Sequence, residues 1–131
     1  MFDSRTASSA SLAYLGDAVL ELRVRERLVA MGYTSSKSLN QHALEYVRAG
    51  AQARAMERLL PHLTDEEMAV FRRGRNTGHG QHPKGATVGE YRNATGMEAL
   101  FGYLHMMKNE ARIKELFALA YPVRQEELQT P

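Results

Sequence analysis

Apolar residues recur at intervals of three and four along nearly the whole chain, and no stretch keeps up an alternation of apolar and polar residues. This spacing is typical of amphipathic helices, whereas sustained alternation would indicate strands. The sequence therefore predicts an all-α fold. The predicted helices cover residues of about 9–31, 37–48, 51–60, 64–73, 88–108 and 110–120.

Capping and helix-breaking residues support these boundaries. Gly32 follows the last apolar residue of the first helix, where a C′ glycine is common. Pro61 ends the third helix, because proline disfavours helical conformation in the residue before it. Thr64 and Glu67 have the spacing of a capping box at the start of the fourth. Residues 77–85 contain three glycines and a proline, which predicts an exposed loop.

The composition is that of one soluble globular domain. With 131 residues, of which 44% are hydrophobic and 24% charged, the chain can bury a core of its own. It contains no cysteine, which excludes a disulfide scaffold and thiolate chemistry. Neither a signal peptide nor a membrane-spanning apolar run is visible, so we expect a cytoplasmic protein. We expect a single domain over residues 1–131, with a frayed tail from about residue 125.

The formal net charge of +2 does not by itself indicate a nucleic-acid-binding protein, but the basic excess is local. Between residues 71 and 92, one acid, Glu90, accompanies five basic residues, and these are Arg72, Arg73, Arg75, Lys84 and Arg92. Two interpretations stay open. The segment is either a solvated loop, or a loop in which arginines contact phosphates and glycines allow close backbone approach.

The first helix is apolar on two faces, which predicts a central helix that is packed on both sides. One face carries Leu12, Leu15, Ala18, Val19, Leu22 and Val29, and the other carries Leu20, Val24, Leu28 and Met31. Asp17 falls in the second face. Because an unpaired buried carboxylate is costly, we expect Asp17 to have a partner, either a metal ion or an arginine, unless the helix starts elsewhere and Asp17 caps it.

The long fifth helix carries the second candidate acid, Glu98. Its apolar stripe is predicted to contain Met97, Leu100, Tyr103, Leu104 and Met107, with Glu98 on the opposite side. Gly16 precedes Asp17 and Gly102 lies one turn after Glu98, so the two helices have small residues where close approach would bring the carboxylates together. Two convergent carboxylates suit a hard divalent ion such as Mg²⁺. A solvent-exposed Glu98 without a special role is the alternative.

Two segments resemble motifs of the ribonuclease III family. Residues 15–20, LGDAVL, resemble its signature helix, and residues 97–104, MEALFGYL, are similar to its second carboxylate helix. Their order and separation also match, and the resemblance runs from about residue 9 to residue 121. No double-stranded-RNA-binding domain follows, and FRRGRN at residues 71–76 precedes the second motif. In both respects the chain is similar to the bacterial Mini-III branch of the family.

The resemblance implies the ribonuclease III helical fold, an obligate homodimer and Mg²⁺-dependent hydrolysis of double-stranded RNA, with 5′-phosphate products and short 3′ overhangs. The family has four active-site acids, and the resemblance implies that two of them are present in this sequence, as Asp17 and Glu98. Ala13 and Thr95 stand at the other two positions, and Mini-III enzymes have a reduced acid set of this kind. Asp17 and Glu98 are therefore expected to be the catalytic residues and the ligands of one Mg²⁺, with Mn²⁺ as a substitute.

The resemblance also implies a substrate, the precursor of 23S ribosomal RNA, and a ribosomal protein as a possible helper. The expected RNA-binding residues are Arg72, Arg73, Arg75, Asn76, Lys84 and Arg92. Two alternatives remain. A non-catalytic RNA-binding or ribosome-associated dimer is favoured by Ala13 and Thr95. A helix-turn-helix DNA-binding protein is suggested by size and helix content, but its basic residues would lie along a recognition helix.

Overall fold

The computed structural model describes residues 2–77 and 85–123, and these residues form helices and no strands, as the sequence predicts. The helices are α1 (Ser9–Ala30), α2 (Ser36–Val47), α3 (Ala49–Leu59), α4 (Asp65–Asn76), α5 (Val88–Met106) and α6 (Glu110–Ala120), with a 3-10 turn at Leu60–His62. The largest departure from the predicted boundaries is at the end of α4, which continues past Arg73 to Asn76. None of these helices is long and apolar enough to cross a membrane. The predicted tail lies outside the described residues.

Side-chain caps begin the helices on either side of the predicted loop. The predicted capping box of α4 is confirmed: the Glu67 amide donates to Thr64 Oγ1 at 3.1 Å, and the Thr64 amide donates to Glu67 Oε1 at 2.9 Å. Thr87 and Glu90 form a second capping box at the start of α5. Gly32 has a φ of 96° after the end of α1, the left-handed conformation that glycine adopts without strain.

The core lies around α5, which packs against α1, α3, α4 and α6. Most residues between Ala94 and Leu104 are buried, and Leu100 and Phe101 have no solvent exposure at all. Burial of such side chains is worth roughly 1.5–3 kcal/mol each, so this helix anchors the fold. The prediction that Met107 belongs to the buried stripe is wrong. Met107 is 49% exposed, because α5 ends just before it and the chain turns toward α6.

The two predicted apolar faces of α1 are not buried to the same extent within this chain. The buried side chains are Leu12, Ala13, Val19, Leu20, Val24 and Leu28. The predicted face that carries the buried Leu12 and Val19 is only partly covered, since Leu22 on it is 57% exposed and Val29 is 64% exposed. By helical spacing Ala18 and Leu15 belong to the same face; Ala18 is exposed, and Leu15 is half-buried and packs partly against the core. Together with Leu22 and Val29 they form an apolar row along α1, which we call the α1 stripe.

A mostly buried ion pair ties α4 to α6. Arg112 donates from Nε and Nη2 to the two carboxylate oxygens of Glu67, each at 2.8 Å, and also to the carbonyl of His62 at 2.8 Å. Burial alone would raise the pKa of Glu67, but the hydrogen bonds from Arg112 and Thr64 outweigh it and hold the pKa below its usual value. This pair fixes α4 and, through it, the basic end of that helix.

Candidate active site

The site forms where α1 crosses α5 with almost no space between the two backbones. Gly16 lies against the carbonyl of Glu98, and Gly102 lies against the carbonyl of Leu12. A Cβ atom on either glycine would overlap the facing oxygen, so only glycine permits this approach. The residue after Gly16 is Asp17. The crossing therefore sets the two acids side by side, as the small residues in the sequence suggest.

Asp17 and Glu98 line an open cleft of about 320 Å³. The rest of its lining consists of Ala10, Ala13, Tyr14, Thr77, Tyr91 and Thr95. Ala13 and Thr95, which stand where the larger relatives are expected to carry acids, thus lie in the same cleft as the two remaining carboxylates. The cleft is built from three helices, since Thr77 directly follows α4.

The prediction that Asp17 is buried among apolar side chains is wrong, because Asp17 is exposed. A helical projection places it near Leu20, Val24 and Leu28, but it ignores position along the axis. Those three residues lie roughly one to three turns further along α1, in its buried part, while Asp17 lies at the level of the cleft. Among the described residues, Asp17 forms no ion pair with a basic side chain.

Glu98 is partly buried and carries the strongest electrostatic perturbation in the cleft. Desolvation, followed by the charge of Asp17 and a hydrogen bond with it, raises the pKa of Glu98 to about 8. At neutral pH the Glu98 carboxyl group therefore keeps its proton when no cation is present. No basic side chain in the described parts of the chain pairs with Glu98.

The donor chemistry of this pair fits a hard divalent cation. Two oxygen ligands suit Mg²⁺, which accepts one or two carboxylates and keeps several waters. Binding of the ion would displace the proton of Glu98, as is general for metal sites. Within residues 2–77 and 85–123, no cluster of three or more His, Cys, Asp or Glu side chains suits a metal. Among the described residues, the cleft thus offers two acids as possible ligands.

A second glycine contact holds the end of α4 beside the cleft. A Cβ at Gly74 would lie 2.7 Å from the Cβ of Ala99 and 3.0 Å from the Cα of Gly96. A Cβ at Gly96 would lie 2.6 Å from the ring of Phe71. Contacts shorter than 3.0 Å cannot form without displacement, so the α4–α5 packing also depends on small residues.

The expected RNA-binding residues that the structure describes lie on α4 and α5, two of the helices beside the cleft. Exposed side chains there are Arg72, Arg73, Arg75 and Asn76 on the last two turns of α4, and Arg92 on α5. Their neighbours along the chain, Thr77 and Tyr91, line the cleft itself. None of these four arginines pairs with a carboxylate among the described residues. Lys84 lies outside the described residues.

Besides Ala10, three side chains of the cleft correspond to no expected active-site position. Tyr14 is 86% exposed at its rim, Thr77 enters from α4, and Tyr91 lies one turn before Thr95. The carbonyl of Tyr91 accepts a hydrogen bond from the Thr95 hydroxyl at 2.9 Å. Helical spacing places residues 91, 95 and 98 on one side of α5, and this was the available signal for Tyr91.

Comparison with known proteins agrees with this arrangement. The profile of the Ribonuclease III domain matches residues 10–109, so the chain belongs to the ribonuclease III family. Its fold is therefore that of this domain and not that of a helix-turn-helix protein. A crystal structure of a protein from Fusobacterium nucleatum superposes with a TM-score of 0.84 at 30% identity, covering 94% of this chain and 100% of that one.

Within the family, the similarity is to Mini-ribonuclease 3 proteins, as the two motifs indicate. The Mini-ribonuclease 3 of Symbiobacterium thermophilum is 50% identical over 111 residues, which are 84% of this chain and 85% of that protein. The Mini-ribonuclease 3 of Enterococcus faecalis is 42% identical over 118 residues, which are 88% of this chain and 89% of that protein. The resemblance that the sequence shows is confirmed, and membership supports an endoribonuclease of this family with RNA as its substrate class.

Proposed function

We propose that this protein is a divalent-metal-dependent endoribonuclease that cleaves double-stranded RNA at the cleft between α1 and α5. One observation carries the proposal: Asp17 and Glu98 are held together without a basic partner among the described residues, in a chain that belongs to a ribonuclease family. Both carboxylates would hold one Mg²⁺, or Mn²⁺ in its place. The bound ion would stabilise charge on the reacting phosphate and make water more acidic.

The residues around the pair shape the rest of the reaction. Ala13 leaves open the wall where a longer acidic side chain would reach into the cleft, so water and a phosphate can approach the acids. Water gives up a proton to the solvent and attacks phosphorus, so that a new oxygen–phosphorus bond forms. The bond to the 3′ oxygen breaks, and that oxygen takes up a proton. One RNA fragment keeps a 5′-phosphate and the other a 3′-hydroxyl. The support for these products, and for short 3′ overhangs, is the resemblance to the family.

The exposed arginines beside the cleft suit the backbone of an RNA duplex. Arg72, Arg75 and Arg92 carry forked donors that match phosphate oxygens. A-form RNA hides its base edges in a deep major groove and offers phosphates and 2′-hydroxyls instead. Asn76 adds a donor and an acceptor that suit a 2′-hydroxyl. These contacts favour duplex shape over base sequence.

We further propose that the protein forms a homodimer through the α1 stripe. Leu22 and Val29 are more than half exposed on one helix face, and an exposed apolar row of this kind marks an interaction surface. A second copy suits it, because a two-fold axis pairs the same row with itself. Tyr14 is 86% exposed on the same helix and also lines the cleft, so a dimer would bring a partner surface near each cleft.

Sedimentation velocity tests the dimer with a matched pair of variants. Leu22→Asp introduces a charge into the α1 stripe and is expected to give a monomer. Leu44→Asp, at an apolar residue that is 42% exposed on α2, is expected to leave the dimer intact. A dimeric Leu22→Asp variant, or a monomeric wild type, would refute this interface.

The natural substrate that we propose is the base-paired stem at the ends of precursor 23S ribosomal RNA, in the cytoplasm, with a ribosomal protein as helper. The support is the similarity to Mini-ribonuclease 3 proteins. Incubation of the transcribed precursor with the protein, with and without total ribosomal proteins, tests it. We expect discrete cuts at the stem and stronger cleavage with ribosomal proteins, and uncut precursor in both samples would contradict the proposal.

Cleavage of defined duplexes tests the activity itself. We expect the protein to cut duplex RNA with Mg²⁺, and not duplex DNA or any substrate with chelator present. Asp17→Asn removes the charge needed for the cation and is expected to abolish cleavage while RNA binding persists. Glu21→Gln, one turn further on the same helix, is the matched control and is expected to cleave normally. Binding without cleavage by the wild type would instead favour a non-catalytic RNA-binding protein.

A further inference from the structure

Thr95 lies in the cleft beside Asp17 and Glu98, and a hydrogen bond fixes the direction of its hydroxyl hydrogen. Thr95 lies one turn before Glu98 and lines the same cleft as Asp17 and Glu98. Its Oγ1 is 2.9 Å from the carbonyl oxygen of Tyr91. Because a carbonyl oxygen only accepts, the hydroxyl hydrogen must point to Tyr91. The hydroxyl oxygen therefore keeps its lone pairs for another partner and has no hydrogen left to donate.

A hydrated cation requires such acceptors. Mg²⁺ and Mn²⁺ keep several waters in a site with only two protein ligands, and a cation makes the hydrogens of those waters strong donors. We propose that Thr95 is a positioning residue that accepts a hydrogen bond from the hydration shell of a cation held by Asp17 and Glu98. This inference rests on the proposed function, since it takes the cation to lie at that pair.

A neutral acceptor suits this position for an electrostatic reason. Asp17 and Glu98 already bring two acidic groups together in the cleft, and like charges there repel each other. A third carboxylate at position 95 would add to that repulsion, whereas a hydroxyl adds an acceptor and no charge. The Tyr91 carbonyl accepts the hydroxyl hydrogen, so the hydroxyl group does not donate to Glu98 while this bond is formed.

The competing explanation is purely local. Threonine within a helix often donates to the carbonyl four residues earlier, and this bond alone needs no role in the cleft. The two explanations differ in one consequence. If the hydroxyl only satisfies Tyr91, its removal leaves cation affinity unchanged. If it holds the hydration shell, its removal weakens cation binding, and serine restores it.

Binding of Mn²⁺ to the metal-free full-length protein, followed by electron paramagnetic resonance, separates these explanations without any cleavage assay. Thr95→Val keeps the shape and loses the hydroxyl, and Thr95→Ser keeps the hydroxyl. We expect Thr95→Val to weaken Mn²⁺ affinity by about threefold to tenfold, the range of one hydrogen bond, and Thr95→Ser to bind within about twofold of wild type. Thr95→Ala is a second hydroxyl-free variant, in case valine disturbs folding.

The Mn²⁺ binding of Asp17→Asn distinguishes a failure of this inference from a failure of the proposed function. Asp17→Asn is expected to abolish saturable Mn²⁺ binding. If Asp17→Asn behaves so and Thr95→Val binds Mn²⁺ like wild type, only the role of Thr95 is refuted. The same holds if Thr95→Ser is as weak as Thr95→Val. If wild type shows no saturable binding, or Asp17→Asn binds normally, the cation site itself is refuted and the role of Thr95 with it.

Discussion

Gly16 of α1 lies directly against the carbonyl oxygen of Glu98 in α5, with no room for a side chain between them. The same contact sets the separation of the two acids, because Asp17 follows Gly16 and Glu98 supplies the facing carbonyl. This close helix crossing is thus also the one that builds the site. Stability and site geometry are coupled at one pair of residues.

Gly16→Ala is expected to destabilise the protein strongly. The added methyl group would meet backbone atoms of α5, which cannot rotate away as a side chain can. Overpacking of a core costs roughly 1–3 kcal/mol, and we expect at least the upper end of this range, measured by urea denaturation. Gly89→Ala is the control: its nearest neighbour would be Thr87 Oγ1 at 4.0 Å, so we expect no loss and a gain of at most about 1 kcal/mol. Equal stabilities for the two variants would contradict the close crossing.

Glu98→Gln is expected to stabilise the metal-free protein at alkaline pH. The pKa of Glu98 is about 8 in the folded protein against 4.5 for the free side chain, so the folded state binds the proton more tightly. Its contribution to stability is therefore present at low pH and is lost as pH rises from about 4.5 through about 8. With EDTA present, the Tm of Glu98→Gln should exceed that of wild type more at pH 8.5 than at pH 6.

Glu57→Gln, at an exposed acid on α3, is the matched control and should show no such trend. A Tm difference for Glu98→Gln that does not change with pH would show that Glu98 ionises normally.

Arg112→Ala is expected to lower the free energy of unfolding by about 2–3 kcal/mol. Removing one partner of a buried ion pair costs roughly 3–5 kcal/mol. The Arg112 side chain is still 19% exposed to solvent, which reduces the expected loss. Arg5→Ala breaks the exposed pair with Asp3 and should cost less than about 1 kcal/mol. Glu67→Gln combined with Arg112→Met should recover part of the loss. Similar losses for Arg112→Ala and Arg5→Ala would refute a special role for the buried pair.

Arg72→Ala, Arg75→Ala and Arg92→Ala are each expected to weaken duplex RNA binding and to reduce its salt dependence. Each lost phosphate contact should lower the slope of log affinity against log salt by about one in magnitude. Lys114→Ala, at an exposed residue of α6, should leave the slope unchanged. If the variants on α4 and α5 had the wild-type slope, these arginines would be solvent-exposed residues that contact no phosphate.

Local sequence signals were sufficient for the helices but not for their tertiary partners. The capping box of Thr64 and Glu67 can be read from four consecutive residues, and it forms as predicted. The ion pair of Glu67 with Arg112 joins residues 45 positions apart, and helical periodicity carries no information on such a distance. The crossing of α1 and α5 was accessible because Gly16 and Gly102 mark it in the sequence.

Burial within the site was predicted less well than proximity. Asp17 shares a helical projection with apolar residues, yet it is exposed because the cleft opens at its level. The sequence pattern of α5 is equally compatible with a solvent-exposed Glu98 and with a Glu98 in a cleft. The packing of α1 against α5 decides between them.

The most direct test of the account is the single-turnover cleavage rate of duplex RNA by Asp17→Ala, Glu98→Ala and the double variant, with saturating Mg²⁺. Each single substitution removes a ligand of the same ion, so each is expected to lower the rate by several orders of magnitude. The double variant should then be little slower than the slower single variant. Rate losses that multiply would show that the two acids act independently, and would contradict a cation shared between them.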